Sequence, residues 1–299
     1  MMSNKKKILI IGGSGALGSR WIDLNTFEYE IHALVHKSEI LNKNINAISL
    51  DIFDLENFKT YLIKLKPDII INAAAETDVD FCERDFKNAL KINSSLTYII
   101  SILSNELKIK LIHISTDHLF DDSKEIYNEQ DLPNPINNYG LTKYISEEAC
   151  LLNNNALVLR TNFFGRGTKK KKSFTDFIDN NLLNGKEVSL FTDVLFNPVF
   201  IDILCKIISL IINEHPSLSG ILSIGSITGI SKYDFGIKYA KSMKYDLKLI
   251  KKGKIANNYE LTKRPKNMIL CVDKFNKTIK NFQIPDIDYQ IEMMCLEHD

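Results

Sequence analysis

Two residues of this sequence, Tyr139 and Lys143, have types and a spacing that suit proton transfer. If they lie on a helix, residues four apart share one face and are one turn from each other. A phenol has a reference pKa of about 10, and a neighbouring ammonium group favours its charged form, which lowers that pKa. Such a pair can exchange a proton with a carbonyl or an alcohol. The same spacing recurs at Tyr259 and Lys263, but in a polar segment without supporting context, so we assign the chemistry to the first pair.

A glycine-rich loop near the start of the chain predicts a nucleotide site. The apolar run Lys7 to Ile11 is typical of a buried parallel strand, and a predicted helix follows the loop. Glycines allow the backbone to turn sharply and to approach a pyrophosphate at a helix N-terminus. The alternative is a glycine-rich turn without a ligand, but the position between a strand and a helix favours nucleotide binding. The residues assigned to this loop are Gly12, Ser14, Gly15, Ala16, Leu17 and Gly18.

Residues after the next three predicted strands complete the expected cofactor site. A site for NAD usually has an acidic residue after the second strand, whereas this chain has His36 and Lys37 there, with Arg20 near the glycines. Positive charge suits a 2′-phosphate, so we expect NADPH to be the cofactor, with NADH as the alternative. Further residues assigned to the cofactor site follow the third and fourth strands: Asp51, Ile52, Ala73, Ala74 and Ala75.

Strand and helix patterns alternate through the first half of the chain. This alternation predicts an α/β fold, a doubly wound parallel-sheet (Rossmann) domain over residues 1–160. From residue 161 onward the regular alternation of strand and helix patterns ends, and we expect a smaller α/β substrate-binding lobe over 161–299. Segments around 195–225 are candidates for a return to the first domain.

Composition excludes several classes of function. The chain of 299 residues is 44% hydrophobic and 25% charged, with a net charge of +1, so we expect no nucleic-acid or membrane partner. The five cysteines are scattered and favour neither a disulfide framework nor a zinc site. His32 and His36 have no evident third ligand, so no metal is expected. The run Ile8 to Ile11 is too short for a signal peptide, and we expect a cytoplasmic protein.

The motifs together resemble the extended short-chain dehydrogenase/reductases, and more closely the dTDP-4-dehydrorhamnose reductase group, over nearly the whole chain. The segments that carry the resemblance are the glycine loop and residues 72–80, 91–93, 114–121, 139–143, 159–165 and 264–267. The resemblance implies that Tyr139 and Lys143 are catalytic, that Thr116 completes the triad, and that Asn93 is the family's first-half asparagine near the cofactor. It also implies a set of substrate-binding residues: Thr77, Val79, Asp117, Asn162, Phe163 and Arg264. One departure is His118, where the family usually has tyrosine.

The function implied by the resemblance is reduction of a 4-keto nucleotide sugar with NADPH, in deoxysugar or surface polysaccharide biosynthesis. Two alternatives stay open, a sugar-nucleotide epimerase and a regulatory subunit that binds NADP without catalysis. Relatives often form homodimers through the helices that here span about 93–107 and 138–152. Apolar residues beyond the needs of one core face support this expectation, such as Ile99, Ile100, Ile102 and Leu103.

Overall fold

The computed structural model describes residues 5–35, 45–169, 171–255 and 262–296. Its contacts divide the chain into two compact units. The first unit comprises Met1–Ser115, Asn138–Leu159 and Cys205–Ile221. The second comprises Thr116–Asn137, Arg160–Leu204 and Leu222–Asp299. Each unit therefore contains several separate stretches of chain.

The first unit is organised around parallel strands. Its strands are β1 (Lys7–Ile11), β2 (Glu30–Val35), β3 (Asn46–Ser49), β4 (Ile69–Asn72), β5 (Lys110–Ile114) and β6 (Ala156–Thr161). Among the described residues they join a seven-stranded sheet in the order β11–β6–β5–β4–β1–β2–β3, where β11 is Gly220–Ile224. Each neighbouring pair from β3 to β6 is parallel. The strand order reverses between β1 and β4, so the predicted doubly wound fold is confirmed.

Helices follow β1, β3, β4 and β5, because a parallel pair of strands requires a crossover connection. They are α1 (Ala16–Asn25), α2 (Leu55–Leu65), α3 (Val79–Arg84), α4 (Phe86–Leu90), α5 (Leu96–Glu106) and α6 (Asn138–Leu151), with a π-helical turn at Lys91–Ser95 between α4 and α5. Local sequence sets the ends of α2. The Asp54 side chain accepts from the amide of Asn57 at its start, and Lys66 ends it with a φ of 51°.

Strands β5 and β6 are mostly apolar, with Lys110, His113 and Arg160 as the large polar exceptions. Every residue of both strands is buried, which is expected for central strands of a parallel sheet covered on both faces. One core cluster joins strand residues such as Leu9, Ile70 and Leu111 to helix residues such as Phe58 and Ile100. Burying such side chains contributes about 1.5–3 kcal/mol each. The sheet is thus a fixed platform for the residues at its carboxyl edge.

The second unit contains short strands and amphipathic helices. Its elements, with those that also extend into the first unit, are β7 (Phe163–Phe164), α7 (Phe174–Leu182), β8 (Val188–Phe191), β9 (Leu195–Phe196), β10 (Val199–Phe200), α8 (Ile201–Glu214), β11, β12 (Ile230–Ser231), α9 (Lys232–Ser242), β13 (Ile250–Gly253), β14 (Asn267–Met268), α10 (Asp273–Thr278) and α11 (Ile287–Leu296). The core of this unit is aromatic, with the ring of Phe235 beside those of Phe164, Phe174 and Phe196.

Residues 116–137 belong to the second unit, whereas a single division at residue 160 would leave them in the first. The reason is pairing with a segment far along the chain. The amide of Tyr127 donates to the carbonyl of Ile269 at 2.9 Å, and the amide of Cys271 donates to the carbonyl of Tyr127 at 2.7 Å. The ring of Tyr127 also stacks on that of Phe120.

Within the described ranges, no helix is long and apolar enough to cross a bilayer. The same residues contain no group of three His, Cys, Asp or Glu side chains that could hold a metal ion.

Candidate active site

The glycine loop forms a close junction between β1 and the segment after β4. Gly12 has a φ of 85°, and a Cβ placed on it would lie 2.6 Å from the amide nitrogen of Ala74. A Cβ on Gly18 would lie 2.3 Å from the carbonyl oxygen of Gly12. Only glycine satisfies both the backbone angle and the close approach at Gly12. The loop and the run Ala73 to Ala75, predicted separately from the sequence, therefore lie side by side.

The N-terminus of α1 is suited to a phosphate group. Gly15 is the N-cap residue, in an extended conformation, and makes no side-chain cap. Main-chain N–H groups at a helix start attract anions, and here the residues before them, Gly12 to Ser14, are small. This cradle fits the pyrophosphate of a dinucleotide.

The other predicted cofactor residues of the first unit differ in exposure. Asp51 is exposed, and its carboxylate accepts from the amide of Phe53 at 3.0 Å. Ile52 is buried and packs in the core cluster. His36 and Lys37 lie outside the described residues, as does Tyr259. Arg20 lies on α1 and is half-buried.

Tyr139 lies in the first turn of α6, which is anchored at its start. The carboxylate of Glu83 on α3 accepts from the main-chain amide and from the side-chain amide of Asn138, both at 2.8 Å. The Tyr139 ring packs with Val79, Cys82 and Ala89. The side chain is therefore held from two directions, by a capped helix start and by apolar packing.

Lys143 is buried one turn further along α6, with 1% of its surface exposed. Its Nζ donates to the carbonyl oxygen of Ile114 at 2.7 Å and lies 3.2 Å from Nε2 of His113. Burial lowers the pKa of Lys143 to about 8, and the nearby Glu147 and Cys150 oppose that shift. The amine is thus fixed at the carboxyl end of β5, where it titrates closer to neutrality than a surface lysine.

Asn93 is buried in the π-helical turn, and its side chain ties three segments together. Its Oδ1 accepts from the amide of Glu76 at 2.8 Å, and its Nδ2 donates to the carbonyl of Glu76 and to Oγ1 of Thr142. Turns of this type are frequent at functional sites. Asn93 therefore links the segment after β4 to the helix that carries Tyr139 and Lys143.

The predicted substrate residues of the first unit are Thr77 and Val79. Thr77 is exposed, whereas Val79 is buried against the Tyr139 ring.

Asp117 is the centre of a polar cluster in the second unit. Its Oδ2 accepts from Nδ2 of Asn162 at 2.7 Å, and its Oδ1 accepts from Oγ1 of Thr116 at 3.3 Å. His118 places Nε2 4.0 Å from Oδ1 of Asp117. Phe163 is half-buried and pairs with Val199. The structure thus joins Asn162 to the neighbouring residues Thr116 and Asp117, which lie far from it in sequence.

Lys232 belongs to the same cluster and was missed by the sequence analysis. It opens α9, and its Nζ lies 3.3 Å from the centre of the Phe196 ring. Burial and the charge of Arg264 lower the pKa of Lys232 to about 8, against the opposite effect of Asp117. Burial, followed by the charges of Lys232 and Arg264, also lowers the pKa of His118 against the effect of Asp117. Lys232 follows the helix-capping Ser231, and no motif of the sequence marks this position.

A doubly wound sheet, a glycine cradle at its first strand and a tyrosine–lysine pair on one helix define the class of short-chain dehydrogenase/reductases with a dinucleotide site. The family-level match is more specific. The sequence model of the RmlD substrate binding domain matches residues 6–297, and the chain belongs to this family.

Individual relatives agree with that assignment. A probable low-salt glycan biosynthesis reductase, Agl14 of Haloferax volcanii, is 30% identical over 275 residues, 89% of each chain. The dTDP-4-dehydrorhamnose reductase of Aggregatibacter actinomycetemcomitans is 27% identical over 95% of this chain and 96% of its own. The crystal structure of dTDP-4-dehydrorhamnose reductase from Bacillus anthracis in complex with NADP is 25% identical, with a TM-score of 0.86 over 98% of this chain and 99% of that one. The predicted resemblance is thereby confirmed.

Proposed function

We propose that this protein is an NADPH-dependent reductase of a 4-keto nucleotide sugar and acts in cytoplasmic biosynthesis of a deoxysugar or a surface polysaccharide. The observation that carries the proposal is the buried Lys143, held at the carboxyl end of β5 one helical turn from Tyr139. Ligands bind at this edge in open α/β sheets. Full-length similarity to reductases of this kind supports the same conclusion.

The cofactor would be held by residues of the first unit. The small residues Gly12 to Gly18 leave room for a pyrophosphate at the start of α1, and Ala73 to Ala75 would let the dinucleotide lie close to the backbone. When bound, NADPH supplies the hydride. Lys143 would donate to the nicotinamide ribose, and its charge would favour the phenolate form of Tyr139.

On the substrate side, Tyr139 is the proposed general acid and gives its proton to the oxygen of the reduced carbonyl. Thr116 is the second proposed hydrogen-bond donor to that oxygen, and its hydroxyl hydrogen would turn from Asp117 to the substrate to do so. Lys232 and Arg264 supply positive charge in the second unit, which suits the diphosphate of a nucleotide sugar. Asp117 and Asn162 provide acceptors and donors for sugar hydroxyls.

The test is NADPH oxidation by the purified protein against a panel of 4-keto nucleotide sugars. We expect turnover of at least one member, with loss of NADPH equal to the alcohol formed. Interconversion of two sugars without net NADPH loss would indicate an epimerase instead. Tight NADPH binding with no turnover of any member would favour a binding subunit.

We also propose a homodimer formed through α5 and α6. These helices pack together, since Oγ of Ser101 donates to the carbonyl of Cys150. Ile100 and Leu103, predicted to be in excess of the core, are buried within it, so they cannot form this surface. The exposed large apolar residues are Tyr98 and Ile102 on α5, and Leu141, Ile145 and Leu151 on α6.

An apolar surface on two adjacent helices commonly marks an interface. Light scattering at micromolar concentration should give twice the 34.2 kDa chain mass. Ile145→Glu should give the monomer, whereas Leu183→Glu, at an exposed leucine of the second unit, should not. A wild-type monomer would contradict the dimer.

A further inference from the structure

His113 lies on β5, fully buried, between the lysine of the candidate site and a polar network behind it. Its Nδ1 is 3.1 Å from Nδ2 of Asn72, and its Nε2 is 3.0 Å from Oγ of Ser146 and 3.2 Å from Nζ of Lys143. A neutral imidazole carries one hydrogen, so one ring nitrogen donates and the other accepts. The partners decide which nitrogen does so.

The hydrogens on the Nδ1 side are fixed by Asn72. Its Oδ1 accepts from the amide of Ala74, so its Nδ2 faces both Thr97 and His113. The hydroxyl of Thr97 donates to the carbonyl of Asn93 at 2.7 Å and therefore accepts from Asn72. The remaining N–H of Asn72 points at Nδ1 of His113. That nitrogen must therefore be an acceptor without a hydrogen.

The Nε2 side is consistent with this assignment. The hydroxyl of Ser146 donates to the carbonyl of Lys143 at 2.6 Å, so its oxygen is free to accept. Nε2 of His113 carries the ring hydrogen and donates it to Ser146. Burial and the charge of Lys143 lower the pKa of His113 well below its usual value, so the ring is neutral near pH 7.

Lys143 therefore lies next to a nitrogen that cannot accept a hydrogen bond from it. We propose that His113 is a positioning residue for Lys143. Because His113 offers the lysine no acceptor on the inner side, the lysine N–H groups are directed at the Ile114 carbonyl and outward at Tyr139 and the cofactor. This inference rests on the proposed function only in the roles given to Tyr139 and the cofactor. The hydrogen arrangement itself is independent of them.

The arrangement has a direct spectroscopic test. Nitrogen NMR of histidine rings separates a protonated from a bare ring nitrogen, and the spectrum of His113→Leu identifies the His113 signal among the six histidines. We expect a bare Nδ1 and a protonated Nε2 throughout the neutral range. A protonated Nδ1, or an imidazolium, would overturn the proposal. The spectrum needs no substrate, so failure of the proposed reductase activity would leave this result intact.

Two substitutions at the same position test the effect on function. His113→Gln can still donate to Ser146, but its amide oxygen offers Lys143 the inward acceptor that the histidine withholds. His113→Leu offers no acceptor and removes one hydrogen-bond partner each from Asn72 and Ser146, so it should be the less stable variant. If His113 only supported the structure, His113→Gln would reduce function less than His113→Leu, because glutamine keeps the hydrogen bond to Ser146.

We expect the opposite order. Titration by fluorescence should show NADPH binding about tenfold weaker in His113→Gln, with kcat reduced by a similar factor. Folded His113→Leu should show a clearly smaller loss of both NADPH affinity and kcat. Equal NADPH affinity in wild type and His113→Gln would overturn the proposal. If His113→Leu does not fold, the proposal is decided by the NADPH affinities of wild type and His113→Gln together with the wild-type NMR spectrum. The spectrum of His113→Gln then identifies the His113 ring signal.

Discussion

The amine of Lys143 donates a hydrogen bond of 2.7 Å to the main-chain carbonyl oxygen of Ile114. Ile114 is the last residue of β5, so a side chain from α6 is tied to the end of a central strand. Both residues are buried. The position of the lysine is therefore determined by the sheet as well as by its own helix.

The low pKa of Lys143 predicts a pH dependence of cofactor binding. A lysine is charged below its pKa and neutral above it, so an amine with a pKa of about 8 loses its charge as the pH rises through 8. A charged hydrogen bond contributes about 1.5–3 kcal/mol, so NADPH affinity should fall at least about tenfold between about pH 7 and pH 9.5. Fluorescence titration of NADPH across this range measures the effect.

The matched control is Lys110, which is also buried and also has a pKa lowered to about 8. Lys110 is at the opposite end of β5, and its amine donates to the carbonyl of Leu218. Lys143→Met should bind NADPH weakly with little change over the range, whereas Lys110→Met should keep the wild-type profile. An unchanged profile in Lys143→Met would assign the titration to another group.

Replacing Tyr139 with phenylalanine tests the proposed general acid. The ring that packs on Val79, Cys82 and Ala89 is kept, so folding and NADPH binding should be retained. General acid catalysis contributes about 10²–10⁴-fold, and kcat should fall by roughly that factor. Tyr144→Phe, on the same helix, should leave kcat within about twofold. Wild-type kcat in Tyr139→Phe with chemistry rate-limiting would exclude the mechanism.

Two positive residues, Lys37 after the second strand and Arg20 on α1 near the glycine loop, predict a preference for NADPH over NADH. Lys37→Ala and Arg20→Ala should each weaken NADPH binding by up to about tenfold and leave NADH binding within about twofold, because only NADPH carries the 2′-phosphate. Lys64→Ala, in the last turn of α2, is the control. Parallel titrations of both reduced cofactors give the comparison. Tighter binding of NADH, unaffected by either substitution, would refute the preference.

Lys232 should contribute to the affinity for the nucleotide sugar. Lys232→Met removes one positive charge beside Arg264 and Asp117 while keeping an unbranched apolar chain against Phe196. We expect KM for the sugar substrate to rise about tenfold and kcat to stay within about threefold. Lys186→Met, at an exposed lysine of the second unit, should change neither constant. An equal effect of the two substitutions would show that Lys232 acts only through net charge.

Local sequence determined the parts of this protein that depend on neighbouring residues. The glycine spacing specifies a sharp turn between a strand and a helix, and the structure has that turn between β1 and α1. The spacing of Tyr139 and Lys143 specifies one helix face. Alternating strand and helix patterns specified a parallel sheet. These features rest on backbone sterics and on periodicity, which act over a few residues.

Tertiary structure decided what depends on residues far apart in the chain. A lone asparagine in a predicted helix is usually exposed, but packing buries Asn93, where its side chain joins Glu76 to Thr142. Ile100 and Leu103 carry the same apolar signal as the exposed Ile102, and only the direction of α5 against the sheet separates them.

For the charged residue Lys232, too, the sequence alone could not predict the surroundings of the side chain. It lies beyond residue 230 in the chain but acts on the pKa of His118 through space. The proposed role of His113 is also not evident from the sequence. It follows from which neighbouring groups on β4 and α6 donate to or accept from its two ring nitrogens. Charge and hydrogen bonding between distant segments depend on distances that only the folded chain sets.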